Sequence, residues 1–464
     1  MKTAFLYAGQ GSQHVGMGAD LYRDYPEFRR VFDSVSDALQ RYTKSEDFRK
    51  EFAGGEGVDQ NYDLHRLVFQ DPDGVINETR YTQPAMVTFA CGVTEILRVH
   101  GIRPDVTAGL SLGEYSALEA AEVMDAETTV NMVAFRGASM AAASEGIDCG
   151  MSAVLGVAAE DLETVCRQAQ LETGKIVSLC NLNCPGQIVI GGEKAAVTKA
   201  AEIISASGSG KCIPLRVSGP FHTVFMKSAG DALARYFKSI RFQRPKCPVM
   251  FNYLGGACEE VSASVESTTA TTLAGLRRAI PELLEEQVQK PVRMEAILRE
   301  MFEDGVTNFI EIGPGHTLAG FVKKVARDIG ITEFTVTAIE TSHHIAKLYA
   351  EDLVRNTHSS AEEIHFSLFF LYIQCSTGTE TAVRNSGRKN TCQNRQKRSR
   401  APLSSPVQAG ASAVPSQWSL RAMAITSSWI TRAMLPPPRK RSRSAGRKAS
   451  MPSPCRRMYP MRTP

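Results

Sequence analysis

The chain has 464 residues, 43% of them hydrophobic, which is ample for a packed interior. Its net charge of +4 averages two unlike pieces: residues 381–464 carry 18 Lys and Arg and no Asp or Glu, which leaves 35 basic against 49 acidic residues, a net of −14, before them. No stretch approaches the roughly 20 apolar residues that span a bilayer, and the eleven cysteines form no CxxC pair and no His/Cys metal spacing, so scattered reduced thiols and no metal are expected.

The opening MKTAFLYAGQ carries one lysine and no apolar core with a cleavage site, so a cytoplasmic protein is expected. Lys2 to Tyr7 reads as a buried strand, with Gln10 on the loop after it. From Met17 to Leu39 apolar residues recur at three and four, the period of one helix face. Thr43 to Asn77 is polar, with Gly54-Gly55 and Pro72-Asp73-Gly74 as turn signals, and reads as a surface excursion. Gln83 to His100 is again helical, and Val106-Thr107-Ala108 leads to Ser111. Residues 138–216 follow a β-α-β-β-α-β order, which predicts a ferredoxin-like subdomain inserted into a larger α/β domain at 1–137 and 217–353. After it come Pro220-Phe221-His222, a helix to about Tyr236, an irregular stretch through Ala257, helices near Gly275–Glu286 and Met294–Gly305, and a buried strand at Asn308–Ile312.

The chain turns on Gly109-Leu110-Ser111-Leu112-Gly113. Glycines two residues either side of a serine, between an apolar strand and the helix-forming run Tyr115–Val123, form the pattern of a nucleophile elbow. The helix that follows points its N-terminal N–H groups at whatever the serine attacks, and the Leu112 N–H is a first oxyanion donor. Taken alone, the pattern also fits a glycine-rich turn. Of nine histidines, eight sit in polar, charged or terminal surroundings, while His222 follows Gly-Pro-Phe in a loop leaving a strand; spacing alone does not bring it to Ser111. Gly9-Gln10-Gly11 could cradle a phosphate, but it lacks the lysine and third glycine of such loops. Arg136 reads either as a helix-face ion pair or as a carboxylate clamp.

Further motifs accompany the elbow: Gly9-Gln10-Gly11-Ser12-Gln13, Thr82-Gln83-Pro84-Ala85, Phe135-Arg136-Gly137, Asn183-Cys184-Pro185-Gly186-Gln187, Gly219-Pro220-Phe221-His222-Thr223 and Glu311-Ile312-Gly313-Pro314-Gly315. In this order and at these spacings, from Met1 to about Leu353, the set resembles the malonyl-CoA:acyl carrier protein transacylases of fatty-acid synthesis. It departs from them at Leu110, where that family usually has histidine. The resemblance implies an α/β-hydrolase-like large domain with a parallel sheet. It implies Ser111 as nucleophile, His222 as its base, the backbone N–H groups of Gln10 and Leu112 as oxyanion hole, and Arg136 as the clamp for the malonyl carboxylate. A main-chain carbonyl in Gln287–Arg293 orients the imidazole, with Arg293 the expected position. Asn181, Asn183 and Gln187 are expected to shape the floor of the site or a tight turn. Malonyl-CoA and holo acyl carrier protein are the implied partners, with no nucleic acid, no membrane and no cofactor, and a monomer is expected. The rival readings are a serine hydrolase or thioesterase with the same elbow, and a carrier-protein-binding module without catalysis.

The basic tail, 354–464, fits none of this and is expected to be disordered. Pro436-Pro437-Pro438 followed by Arg439-Lys440-Arg441 suggests a nucleic-acid-binding arm. A second reading has better support. Codons taken from the third base of one residue and the first two of the next, starting at Ser405–Pro406, permit Thr-Gly-Ala-Ser-Arg-Gly-Ile-Gly-Arg-Ala-Ile-Ala, and an apolar strand ending in a forced Asp across Trp429–Ile430 follows. That is a dinucleotide-binding fingerprint, and it resembles the start of a short-chain reductase such as the ketoacyl carrier-protein reductases. The tail is therefore expected to be out-of-frame translation of a neighbouring gene, joined near residues 355–395, and dispensable.

Overall fold

The computed structural model describes residues 1–52, 62–258, 261–262 and 278–356, with side chains placed for 1–52, 62–258 and 279–351. The expected tail beyond Asn356 and the expected helix start at Gly275 lie outside the described residues.

Strand β1 (Lys2–Tyr7) is buried on both faces from Ala4 onward, as a strand in a covered parallel sheet must be. It pairs in parallel with β2 (Val106–Gly109) on one side and β11 (Val306–Ile312) on the other, and β12 (Thr335–Ile339) extends β11 in the same direction. The order β12-β11-β1-β2 puts the carboxyl ends of β1 and β2 side by side. Open α/β sheets bind their ligands at such ends.

The periodic run from Met17 forms two helices, α1 (Ala19–Asp24) and α2 (Pro26–Thr43), instead of one. Pro26 causes the break: Tyr25 before it is extended at φ −121°, and the proline starts the next helix at a position where no N–H is needed. The polar stretch that follows holds α3 (Glu46–Phe52) and α4 (Leu64–Phe69), whose Phe48, Phe52, Leu64 and Val68 are buried. Helix α5 (Thr79–Val99) begins four residues ahead of the sequence expectation and keeps Pro84 inside it. Nearly the whole helix is buried against α2 and α7 (Ala126–Ser144), and that packing outweighs the ladder bond the proline removes. Between them, α6 (Gly113–Ala120) carries the serine turn.

Strands β3 (Cys149–Leu155), β4 (Val177–Cys184), β5 (Gln187–Glu193) and β6 (Lys211–Pro214) form an antiparallel sheet in the order β4-β5-β3-β6. Helices α8 (Ala159–Thr173) and α9 (Lys194–Ser207) cross between strands and close a separate apolar core around Leu162, Val177, Ile190 and Ile204. The β-α-β-β-α-β reading is visible in this sheet. Its expected boundary at 137/138 is not, because α7 runs through it to Ser144.

The chain then passes His222, α10 (Lys227–Phe237), the short pairs β7 (Met250–Phe251) with β8 (Gly256–Ala257) and β9 (Val261–Ser262) with β10 (Arg278–Ala279), and helices α11 (Ile280–Gln289) and α12 (Met294–Glu303). Val292, between the last two helices, exchanges backbone hydrogen bonds with β4 at Cys180 and Leu182, which stitches the small sheet to the segment beside the serine. Helices α13 (Thr317–Asp328) and α14 (Ser342–Asn356) complete the described fold. No described helix is long and apolar enough to cross a membrane.

Candidate active site

Ser111 lies at the end of β2 with φ +53°, in the left-handed region that side-chain-bearing residues rarely occupy. The bend forces backbone against backbone. A Cβ at Gly109 would overlap the carbonyl group of Gly113, and one at Gly113 would overlap the Tyr7 carbonyl, so only glycine fits at both positions. Gly9 on the β1 loop is pressed against the same turn: a Cβ there would fall 2.6 Å from the Leu110 carbonyl oxygen, too close to fit.

His222 also has a positive φ, +61°, and its Nε2 lies 2.7 Å from Ser111 Oγ. Its Nδ1 lies 2.9 Å from the carbonyl oxygen of Gln287. A carbonyl only accepts, so Nδ1 carries the proton and Nε2 presents a lone pair to the serine. The carbonyl is that of Gln287, not the expected Arg293; the Arg293 carbonyl instead accepts from the Ile297 N–H at 3.2 Å in the first turn of α12. Helix α11 explains the difference: Gln287 sits in its last turn, where carbonyls have no partner within the helix. Burial, reinforced by the nearby Arg136 cation, pushes the His222 imidazole down to about 4. It is therefore neutral and ready to accept a proton throughout the ordinary pH range.

Arg136 enters from the middle of α7 and is 1% exposed. Its Nη1 donates to Gln83 Oε1 at 2.8 Å, and its Nη2 donates to Gln287 Oε1 at 3.0 Å and to Ser111 Oγ at 3.2 Å. Its guanidinium carbon lies 5.3 Å from the centre of the Tyr115 ring. None of these partners is an anion. Among the described residues no carboxylate forms an ion pair with Arg136, and burial pushes the neighbouring Glu114 carboxyl up to about 8, which keeps it protonated at neutral pH. A buried cation without a counter-ion is costly.

These groups open onto a cavity of about 600 Å³ lined by Gln10, Leu112, Asn181, Met140, Leu215 and Phe221 together with Ser111, Arg136 and His222. Among the described residues the backbone N–H groups of Gln10 and Leu112 have no hydrogen-bond partner, while the Gln10 side chain is tied back by Thr79 Oγ1 at 2.6 Å. Leu110 also lines the cavity, with its alkyl side chain where a histidine was the family expectation. Of the three residues expected to shape the floor of the site or a tight turn, Asn181 lines the cavity, while Asn183 and Gln187 flank the Pro185-Gly186 turn between β4 and β5. Asn183 is buried in β4, and Gln187 Oε1 accepts from Lys324 Nζ at 3.0 Å; neither lines the cavity.

The side chains of three further residues shape the site. Gln83 and Gln287 hold Arg136; both stood in quoted motifs, and an amide beside a buried arginine is the signal that could have found them. Asn252 sits in the stretch read as irregular and contacts the elbow directly; nothing in its sequence neighbourhood marks it.

A family model, the acyl transferase domain, matches residues 4–348. The malonyl CoA-acyl carrier protein transacylase of Bacillus subtilis is 39% identical over 326 residues, which is 70% of this chain and 91% of that protein. The chain belongs to the malonyl-CoA:acyl carrier protein transacylase family. The transacylase of the same description from Haemophilus influenzae is 35% identical over 330 residues, 71% of this chain and 93% of that one. Among solved structures, the transacylase of Clostridium perfringens matches with a TM-score of 0.63 at 35% identity, covering 77% of this chain and all (100%) of that chain. A malonyl-transacylase solved in complex with its type II PKS acyl-carrier protein matches with a TM-score of 0.62 at 32% identity, covering 74% of this chain and 98% of that chain.

Proposed function

We propose that the protein is an [acyl-carrier-protein] S-malonyltransferase that works by double displacement at Ser111. His222 Nε2 takes the Ser111 proton as Oγ attacks the malonyl thioester of malonyl-CoA. The tetrahedral oxyanion is held by the N–H groups of Gln10 and Leu112. The Gln287 carbonyl keeps the imidazole in the needed tautomer and accepts a stronger hydrogen bond as it becomes cationic, so a dyad suffices. His222 then returns the proton to the CoA sulfur. The phosphopantetheine thiol of holo acyl carrier protein reverses the sequence and leaves with the malonyl group. Serine and histidine supply all the proton and bond chemistry, so the reading needs no metal or redox cofactor. It takes the protein to act as a monomer in the cytoplasm.

The observation that carries the reading is Arg136, a buried cation without an anion 3.2 Å from the nucleophile. Malonyl differs from acetyl by one carboxylate, which the guanidinium can take, and a neutral acyl group would leave the charge unpaired. The test is transfer to holo carrier protein from malonyl-, methylmalonyl- and acetyl-CoA by the wild type and Arg136→Ala. The two carboxylate-bearing groups should lose transfer while acetyl does not; equal loss for all three refutes the clamp. Release of free malonate in place of transfer would favour the hydrolase reading.

A further inference from the structure

The elbow leaves a structural question open. Ser111 occupies a left-handed backbone conformation without being glycine, and such strain persists only where the surroundings over-determine it. Two peptide groups at the bend point inward, the Gly109 carbonyl and the Ser111 N–H, and both need partners in a buried site. One side chain satisfies both. Asn252 Oδ1 accepts from the Ser111 N–H at 2.6 Å, and Asn252 Nδ2 donates to the Gly109 carbonyl at 2.7 Å. The carboxamide thus bridges residues 109 and 111 across the turn.

Asn252 is itself fixed. It is completely buried, 0% exposed. Its N–H donates to the Glu114 carboxyl in α6, one turn beyond the nucleophile, and its carbonyl accepts from the Arg293 N–H at 3.0 Å. Donor and acceptor face opposite partners, so turning the amide over would set donor against donor and carbonyl against carbonyl. From the other side, Gln287 Nε2 donates to the Ser111 carbonyl at 2.7 Å. Both peptide groups of the serine are therefore held by side-chain amides from distant parts of the chain.

We propose that Asn252 is a positioning residue, whose carboxamide holds Ser111 in the left-handed conformation that aims Oγ at His222 Nε2 and the Leu112 N–H into the cavity. Oγ and that N–H leave adjacent positions of one short backbone stretch, so a change in the Ser111 torsions displaces both together. A misplacement of about 1 Å at a reacting group costs roughly 10²-fold in rate. The inference rests on the reading that Ser111 is the acylated group.

The test uses the full-length chain mixed rapidly with malonyl-CoA, quenched, and read by mass spectrometry of the peptide that carries Ser111. Asn252→Ala should form the ester roughly 10²-fold more slowly at saturation, with the half-saturating malonyl-CoA concentration unchanged, because Arg136 and the cavity wall are untouched. Asn252→Asp keeps the volume and supplies a signature. Ionised, it has no donor for the Gly109 carbonyl; protonated, it offers one O–H donor and one carbonyl acceptor, as the amide does. Its rate should therefore rise as pH falls. The titratable or charged residues bonded to Asn252 are Glu114 and Arg293, and Arg136 and His222 lie beyond it on Ser111; wild type, which shares all four, should stay flat over the same range. Wild-type rates in both variants overturn the proposal, as does a folded Asn252→Asp that is slow at every pH. If Asn252→Ala does not fold, the Asn252→Asp pH profile decides alone. Absence of any ester on Ser111 in wild type overturns the acylation reading instead.

Discussion

Two arginines enter the interior from neighbouring helices and meet different fates. Arg98, on α5, reaches Glu95 at 3.0 Å and Glu119 at 3.3 Å, so it pairs with Glu95 on its own helix and with the Glu119 carboxyl on α6, which burial pushes up to about 7. Arg136, on α7, is more deeply buried and meets only amides, a hydroxyl and an aromatic ring. One cation links two helices through carboxyl groups; the other has no anion beside it among the described residues, and on the proposed reading the substrate's carboxylate supplies one. The contrast locates the site more sharply than burial alone does, since an interior charge left unmatched is tolerated only where something else supplies the match.

The comparison can be broken by exchanging the two fates. Arg136→Leu should lower malonyl transfer by roughly 2–5 kcal/mol in apparent transition-state stabilisation, leaving acetyl transfer unaffected or improved in a competition assay; Arg98→Leu should leave the malonyl-to-acetyl ratio where it was. Glu119→Ala strips Arg98 of its buried partner and should lower unfolding free energy by about 1–3 kcal/mol in urea titration, again without changing acyl preference. If Glu119→Ala shifted the preference, the division between a structural and a ligand-binding arginine would fail.

A smaller effect is expected from pH. The folded His222 is depressed from 6.5 to about 4, so the base keeps its lone pair until well below the ordinary histidine range. The rate of Ser111 acylation should therefore stay level from neutral pH downward and fall only as pH approaches about 4. A fall centred near 6.5 would mean that Arg136 and burial do not act on the imidazole as the geometry indicates. Smallest of all, deleting residues 357–464 should leave transfer unchanged, and the encoding DNA should show a short-chain reductase in the alternative frame.

Much of the site was legible because its chemistry depends on local patterns. The glycine at 109 is dictated by backbone contact with Gly113 and Glu114 a few residues on, the one at 113 by the Tyr7 carbonyl of the neighbouring strand, and Pro220-Phe221-His222 and Phe135-Arg136-Gly137 mark their side chains by their neighbours. What the sequence hid was contributed through space. The Gln287 carbonyl serves His222 because α11 ends there, a boundary the predicted helix placed three residues early, at Glu286. Asn252 reaches across 141 positions to Ser111. In the fold, the first helical run was misjudged at Tyr25-Pro26, although the proline was in plain view. The start of α5 was misjudged because tertiary packing carries Pro84 inside a helix, and α7 runs on to Ser144 with Ala138, Ser139, Met140 and Ser144 buried along it.

Acylation of Ser111 is the central claim, and trapping it is the most direct measurement: brief exposure to malonyl-CoA, acid quench, and mass spectrometry of the peptides. The account predicts one malonyl group on the peptide that contains Ser111, lost when holo carrier protein is added, absent in Ser111→Ala, and formed roughly 10²- to 10⁴-fold more slowly in His222→Ala. Transfer that proceeds with Ser111 unmodified, or that survives Ser111→Ala, would contradict it.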